Sequence, residues 1–246
     1  MFEAQPAPAR ISVLIPAYNE EALIAKVLAR VHGCFEAVGC PQYEVIVCDN
    51  NSNDRTAELA AASGAMVVKE PHNQIARARN TAAKAATGEW FIFLDADTLL
   101  TAELLAETIR SLQSGAICGG GSILQFDRQD LGLFAAALTR VWNTISSTFH
   151  LAAGSYLFCY RRAWEELGGF DESVYAGEEI YFSRELKRWA RANDRKFRVI
   201  TRAPVVTSAR KMEWYSQRQL LWRVLMMARP GAVKHRDKCD LWYSRP

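Results

Sequence analysis

The sequence predicts an α/β fold: a mostly parallel sheet with helices packed on its faces. Three observations carry this. Apolar runs rich in β-branched and aromatic residues alternate with segments of helical periodicity through the first half of the chain. The connections between them are short, so successive strands are read as parallel neighbours joined by crossover helices. The polar residues cluster just beyond the apolar runs, where open α/β sheets bind their ligands.

Ile11–Pro16 is a continuous apolar run, as in a strand buried on both faces. Asn19 follows as the expected N-cap of a helix whose apolar face is Leu23, Ile24, Val27, Leu28 and Val31. Tyr43–Cys48 reads as a second buried strand, and Asp49–Asp54 as a polar turn. Thr56–Ser63 is a helix ended by Gly64, and Met66–Lys69 a short third strand. Asn73–Thr87 is an Ala-rich helix ended by Gly88. Trp90–Leu94 is a fourth strand, stopped by Asp95-Ala96-Asp97. Leu105, Ile109 and Leu112 give the next helix its apolar face.

The second half is less regular. Gly119-Gly-Gly121 within Ile117–Phe126 predicts a bend or a close backbone approach. Leu131–Ser147 reads as helix, Gly154–Tyr160 as strand and Gly168–Asp171 as turn. Glu178–Arg191 reads as a helix whose acidic start suits the positive end of its dipole. Phe197–Ile200 and Val205–Thr207 are expected as two short strands, and Lys211–Arg229 as a last helix stopped by Pro230-Gly231.

The 246 residues carry 30 Lys+Arg against 27 Asp+Glu, and half are hydrophobic. That composition argues against disorder, collagen and coiled coil. No apolar run approaches the ~18 residues of a transmembrane helix. Residues 1–10 lack the basic start and apolar centre of a signal peptide. The six cysteines form no CxxC pair and no zinc spacing. The expectation is a chain made and kept in the cytoplasm. The net charge of +3 is uneven: residues 201–246 hold ten basic against three acidic residues, a net +7, and the remainder nets −4. A weak overall charge gives no reason to expect nucleic acid as a partner. The basic C-terminal segment suggests an anionic ligand or peripheral contact with a membrane face.

Asp95 and Asp97 are hard oxygen ligands two residues apart at a strand end. They suit Mg²⁺ or Mn²⁺ whose shell is completed by phosphate oxygens. The bland reading is a turn whose aspartates cap the next helix. No GxGxxG follows the first strand and no GxxxxGK[ST] occurs, which excludes dinucleotide-binding and P-loop readings.

At these residues the chain resembles a family. Pro16-Ala-Tyr-Asn-Glu20, Val47–Thr56, Ala78-Arg-Asn80, Gly88–Asp97, and Gly168-Gly-Phe-Asp-Glu172 with Gly177-Glu-Glu179 look like the ordered motifs of family 2 glycosyltransferases. The resemblance spans about residues 11–190. It implies the GT-A fold: a Rossmann-like, mostly parallel central sheet with flanking helices and a smaller acceptor-side sheet. It also implies a single domain over 1–246, with a nucleotide-sugar half at about 1–115 and an acceptor half at about 116–246. Position by position, Pro16, Ala17, Tyr18 and Glu20 would line the nucleoside pocket. Asp49 would accept from the base imide nitrogen, and Arg79 and Asn80 would sit by the base and ribose wall. Asp95, with Ala96 between, would contact ribose or metal, and Asp97 would hold the metal that bridges the diphosphate. Of Glu178 and Glu179, Glu179 aligns with the family's acidic base, a Glu where Asp is commoner. Tyr181 stands where a further acid is usual.

The implied reaction is an inverting, metal-dependent transfer from a nucleotide-diphosphate sugar, UDP-sugar ahead of GDP-mannose, to a hydroxyl acceptor in glycan or cell-envelope biosynthesis. The acceptor, a saccharide or a lipid-linked sugar, is not named by the sequence. Gln217–Arg223 holds the ingredients of a processive QxxRW motif in the wrong order, which favours single-sugar transfer. A sugar nucleotidyltransferase and a non-catalytic nucleotide-sugar-binding subunit stay open as alternatives. The former would need a Gly-rich basic loop where Pro16–Glu20 stands. No histidine is assigned to metal, because Val206–Arg210 lacks one where some relatives carry a third ligand.

Overall fold

The computed structural model describes residues 10–128, 132–210, 219 and 231–239. The elements run β1 (Ile11–Ala17), α1 (Ile24–Ala37), β2 (Tyr43–Asp49), α2 (Thr56–Ala62), β3 (Met66–Lys69), α3 (Ile75–Ala85), β4 (Trp90–Leu94), β5 (Thr98–Leu99) and α4 (Ala102–Gln113). They continue β6 (Ile117–Phe126), α5 (Gly132–Phe149), β7 (Tyr156–Tyr160), α6 (Arg161–Leu167), α7 (Glu178–Ala192) and β8 (Lys196–Thr207). Two short 3₁₀ turns follow at Ala232–Lys234 and Arg236–Lys238.

The strands form one eight-stranded sheet in the order β3-β2-β1-β4-β7-β6-β8-β5. The first four are parallel. The antiparallel β7 then leads into β6, which pairs parallel with β8. β7, β6, β8 and β5 therefore continue the central sheet, where a separate smaller sheet was expected. Two apolar clusters fill its faces, one around Val13, Leu28 and Leu104, the other around Leu14, Phe93 and Leu186. This is why β1 and β4 are apolar on both sides.

Sheet order and chain order together force the sheet to curl. Only Asp95-Ala96-Asp97 separates β4 from β5, yet β5 closes the far edge beyond β7, β6 and β8. Four strand spacings of a flat sheet cover about 19 Å. The four backbone steps from Leu94 to Thr98 reach at most about 14 Å. The far edge therefore folds back, and the Asp95–Asp97 segment crosses the mouth of the curl. Ser208 N donates to Asp97 O at 3.0 Å where the edge arrives.

Three expectations change. Asn19 does not cap α1: it sits at φ 51° and its Oδ1 accepts from Asn53 N, while Glu20 O receives the first N–H groups of the turn leading into the helix. The expected pair of strands at 197–207 is one strand. Its pairing with β6 is irregular between Ser122 and Leu124, and Ser122 Oγ accepts from Val205 N just past Pro204. α6 was not foreseen, although its Arg161–Glu165 and Arg162–Glu166 pairs and the left-handed Gly168 after it are helix signals. The expected helix at 211–229 lies outside the described residues apart from Gln219.

The triple glycine does what its pattern foretold. A Cβ on Gly120 would lie 1.8 Å from Arg198 O, and one on Gly119 2.6 Å from Phe158 O. Gly120→Ala should therefore block the β6–β8 pairing and cost more than about 3 kcal/mol. By contrast Gly33, in α1 with nothing near its Cβ position, should accept alanine with a gain of about 0.5–1 kcal/mol. Urea denaturation of the two variants checks both signs.

Candidate functional site

β1, β2 and β4 are parallel neighbours, so their carboxyl ends lie side by side at one end of the sheet, where open α/β sheets form their ligand crevice. Asp49 ends β2, is buried, and accepts from Ser52 N at 3.1 Å, which turns the loop. Asp54 shapes the opposite wall. Its Oδ1 accepts from Thr56 N and Thr56 Oγ1, and its Oδ2 accepts from Glu21 N. Thr56 Oγ1 in turn accepts from Glu20 N at 2.7 Å, so the Tyr18–Glu21 loop hangs on the start of α2. Pro16 and Ala17 complete β1, and Tyr18 is half-buried at the crevice.

Sequence reasoning missed Asn50, the hub of the neighbouring loop. Its Nδ2 donates to Glu70 O and His72 O, and its Oδ1 accepts from Gln74 N. Gln74 then donates to Glu172 O and Val174 O, both at 2.8 Å, tying that wall to the loop that precedes α7. No local pattern announces such long-range bonds. An Asn inside a polar turn is read as turn chemistry.

The strongest feature is a buried ionic cluster at the crevice floor. Arg79, on α3, donates from Nη1 to Glu178 Oε1 at 2.6 Å. From Nη2 it donates to Asp95 Oδ1 at 2.9 Å and to Gly154 O at 2.7 Å. Arg79 and Glu178 are each 3% exposed. Burial disfavours the guanidinium charge, but the Glu178, Asp95 and Glu179 carboxylates outweigh that and hold its pKa above the ordinary arginine value. Its outer side lies over the Phe170 ring, 5.4 Å from the centroid.

Glu178 and Glu179 open α7, behind a left-handed Gly177. Glu178 is fully committed to Arg79. Glu179 is half-buried beside Gly154, whose missing side chain leaves room for it: a Cβ there would sit 3.4 Å from Glu179 Cδ. One guanidinium faces three carboxylates here, so negative charge is in excess. Burial, and then the neighbouring Glu178 charge, push the Glu179 carboxyl up to about 8 against the pull of Arg79.

Arg79 and Asn80, expected by a base and ribose wall, are both engaged within the protein. Arg79 joins the Asp95 strand end to the start of α7. Asn80 is buried and clasps the Gly168–Asp171 turn: Oδ1 accepts from Phe170 N and Nδ2 donates to Phe170 O, both at 2.9 Å. Asn80 and Arg79 are successive helix residues pointing about 100° apart, yet both serve the same turn, through Phe170's backbone and through its ring.

Glu20 is also engaged. Arg210, just past β8, donates to Glu20 Oε2 at 2.7 Å, and Glu20 is 5% exposed. This arginine stands in the Val206–Arg210 segment where a histidine was looked for. His32 is structural, between Tyr43 Oη and Ser63 O. All six cysteines are free, and five are buried.

Asp97 is 6% exposed and lies beside Thr98, with Ala96 buried next to it. Asp95 keeps a partly open side chain above Arg79. Among the described residues no group of three His, Cys, Asp or Glu side chains is placed to enclose an ion. Two strand-end aspartates still fit a divalent cation of the Mg²⁺ type, which keeps several positions for phosphate and water. Asp127 accepts from Ala209 N at 2.9 Å. No helix among the described residues is long and apolar enough to cross a membrane.

The family model for glycosyl transferase family 2 matches residues 12–145. The chain belongs to glycosyl transferase family 2. An uncharacterized glycosyltransferase of Mycobacterium tuberculosis is 35% identical over 106 residues, which cover 43% of this chain and 45% of that protein. The chain spans about half the length of the curated relatives it matches. Among solved structures, a mannosyltransferase of Pyrobaculum calidifontis in complex with GDP-Man and Mn²⁺ superposes with a TM-score of 0.67 at 22% identity. That match covers 89% of this chain and 61% of the other. Glucosyl-3-phosphoglycerate synthase of M. tuberculosis, with Mn²⁺, UDP and phosphoglyceric acid, gives 0.61 at 18% identity over 97% and 80%. These neighbours are GT-A glycosyltransferases and share the curled α/β fold.

Replacing Arg79 by Met should cost about 3–5 kcal/mol, because Glu178 is left buried and unpaired. Asn80→Ala should cost about 2–3 kcal/mol by orphaning both Phe170 backbone groups. Equilibrium denaturation measures each, and a cost under about 1 kcal/mol for Arg79→Met would show that the cluster is not dry.

Proposed function

We propose that this chain is a metal-dependent, inverting and non-processive glycosyltransferase acting on a nucleotide-diphosphate sugar at the cytoplasmic side. Residues 1–115 supply the donor half and residues 116–246 the acceptor half. One observation carries the reading. A pair of aspartates follows β4, another carboxylate ends β2 in the same sheet, and a fourth, with a raised pKa, stands at the start of α7. Binding and proton transfer are thereby given separate acids.

In this reading Asp49 accepts a hydrogen bond from the base. Uracil offers a ring imide N–H and guanine a ring lactam N–H, which adenine and cytosine lack. UDP-sugars are favoured, and neighbours with bound UDP and bound GDP-Man make both worth testing. Asp97, with Asp95, would hold Mn²⁺ or Mg²⁺, which when bound supplies positive charge against the diphosphate. Tyr18, Pro16 and Ala17 shape the nucleoside wall, and Arg210 fixes Glu20 beside them. Glu179 takes the proton from the acceptor hydroxyl as its oxygen bonds to the anomeric carbon. The bond to the diphosphate oxygen breaks with its electron pair, and the carbon inverts. Glu178 does not compete for this role, because its carboxylate is bound to Arg79.

Asp97→Ala should keep the fold and lose transfer by at least about 10³-fold. It should also lose the metal-dependent part of the thermal shift given by UDP- or GDP-sugars with Mn²⁺. Full activity in that variant would sink the reading. Release of pyrophosphate from a nucleoside triphosphate and a sugar phosphate would favour a nucleotidyltransferase instead.

The Glu179 carboxyl makes a second test. A base must be ionised, so the acid limb of kcat/KM should fall below a midpoint near pH 8, far above the ordinary carboxylate range. The sign for stability is opposite. A carboxyl whose pKa is higher folded than unfolded stabilises the protein below about pH 4.5, and that contribution is lost as pH rises through 8. Glu179→Gln should abolish transfer while melting higher than the parent at pH 9, and no higher at pH 4. Differential scanning fluorimetry across pH reads this directly.

A further inference from the structure

One surface is left over from the donor crevice and the acid cluster. α5 is held by its inner face. Asn143 Oδ1 accepts from Leu124 N, its Nδ2 donates to Leu124 O, and Ser146 is buried with Oγ donating to Leu151 O. Its outer face carries Val141, Ile145 and Phe149 at i, i+4 and i+8, exposed by 57%, 37% and 63%. Three large apolar side chains in one row facing solvent are unusual for a single helix of a water-facing protein.

The end of that row meets a row of cations. Lys187 Nζ donates to Phe149 O at 2.7 Å. On α7, Arg184, Lys187 and Arg191 fall within about 60° at ~100° per residue. Burial, and then the charges of Arg184 and Arg191, lower the Lys187 pKa. Glu185, the nearest acid on α7, is taken by Arg188. Among the described residues neither Arg184 nor Arg191 makes an ion pair.

We propose that the α5 outer row and the α7 cation row form one docking surface for an anionic lipid bilayer. Charge complementarity selects this occupant, and the aliphatic row distinguishes it from a polyanion. Val141, Ile145 and Phe149 enter the acyl boundary while Arg184, Lys187 and Arg191 meet headgroup phosphates. Nucleic acid would leave the Val and Ile side chains without a use. Glu179 and Lys187 lie eight residues apart on α7, about 12 Å along its axis. On the transferase reading, which this consequence rests on, the surface brings the acceptor side to the bilayer and points to a lipid-anchored acceptor. None of these six residues belongs to the basic segment at 201–246.

The test is co-sedimentation of the full chain with vesicles of phosphatidylglycerol and phosphatidylcholine, against phosphatidylcholine alone, at 0.05 and 0.5 M salt. Binding should require the anionic lipid and fall steeply with salt. Arg184→Glu with Arg191→Glu should weaken it by at least about 25-fold, at about fivefold per charge removed. Ile145→Ser with Phe149→Ser should weaken it by at least about tenfold. Both variants should keep the parent's melting temperature and its thermal shift with donor and Mn²⁺, a readout that reports the transferase site independently. Three results would overturn the proposal: no vesicle binding by the parent at low salt, binding unchanged in both variants, or a dimer in analytical ultracentrifugation that the Ile145/Phe149 variant dissolves.

Discussion

The architecture hangs on a single guanidinium. Arg79 is out of water and bonds at once to the end of a central strand through Asp95, to the start of α7 through Glu178, and to the Gly154 carbonyl. These three elements come from different parts of the chain. Leaving a charge of this kind unpaired costs more than most single core contacts, so the three are fixed relative to one another by electrostatics as much as by packing. Phe170 extends the brace. Its ring lies over Arg79, its backbone is held by Asn80, and it packs on Phe93 and Phe182.

That brace also sets the chemistry of what it holds. Three carboxylates around one cation cannot all ionise comfortably. Glu178 and Asp95 bond the guanidinium directly, so the excess falls on Glu179, the least engaged of the three. An acid bound by Arg79 and an acid with a raised pKa thus stand on adjacent residues. The α-helix does this by geometry: neighbours on its first turn point about 100° apart, so one reaches Arg79 while the other faces Gly154 and the crevice.

Much of this was legible in the sequence. Buried parallel strands announce themselves as unbroken apolar runs, so β1, β2 and β4 were placed to within a residue, and with them the acids at their ends. Gly119–Gly121 was readable because only a close backbone approach explains three glycines inside a strand. The family motifs located Glu178 and Glu179 and aligned Glu179 with the family's base, without showing what engages Glu178. Other features were illegible for a physical reason. Arg79 looks like any helix cation until Glu178, 99 positions away, is brought to it. Asn80 looks like a ligand residue until the turn it clasps is seen. Arg210 and Glu20 are 190 positions apart, and their pairing exists only because the sheet curls.

The curl itself follows from a length constraint that chain order and strand order impose jointly. β4 and β5 are three residues apart in sequence and four positions apart in the sheet, so the sheet cannot be flat. Asp95 and Asp97 sit on the segment that closes this gap. Their spacing is thus tied to the closure, which also brings Arg210 beside Glu20. The same short segment that shapes the crevice also furnishes its paired acids. The carboxylates are therefore placed by the backbone path before any side-chain interaction refines them.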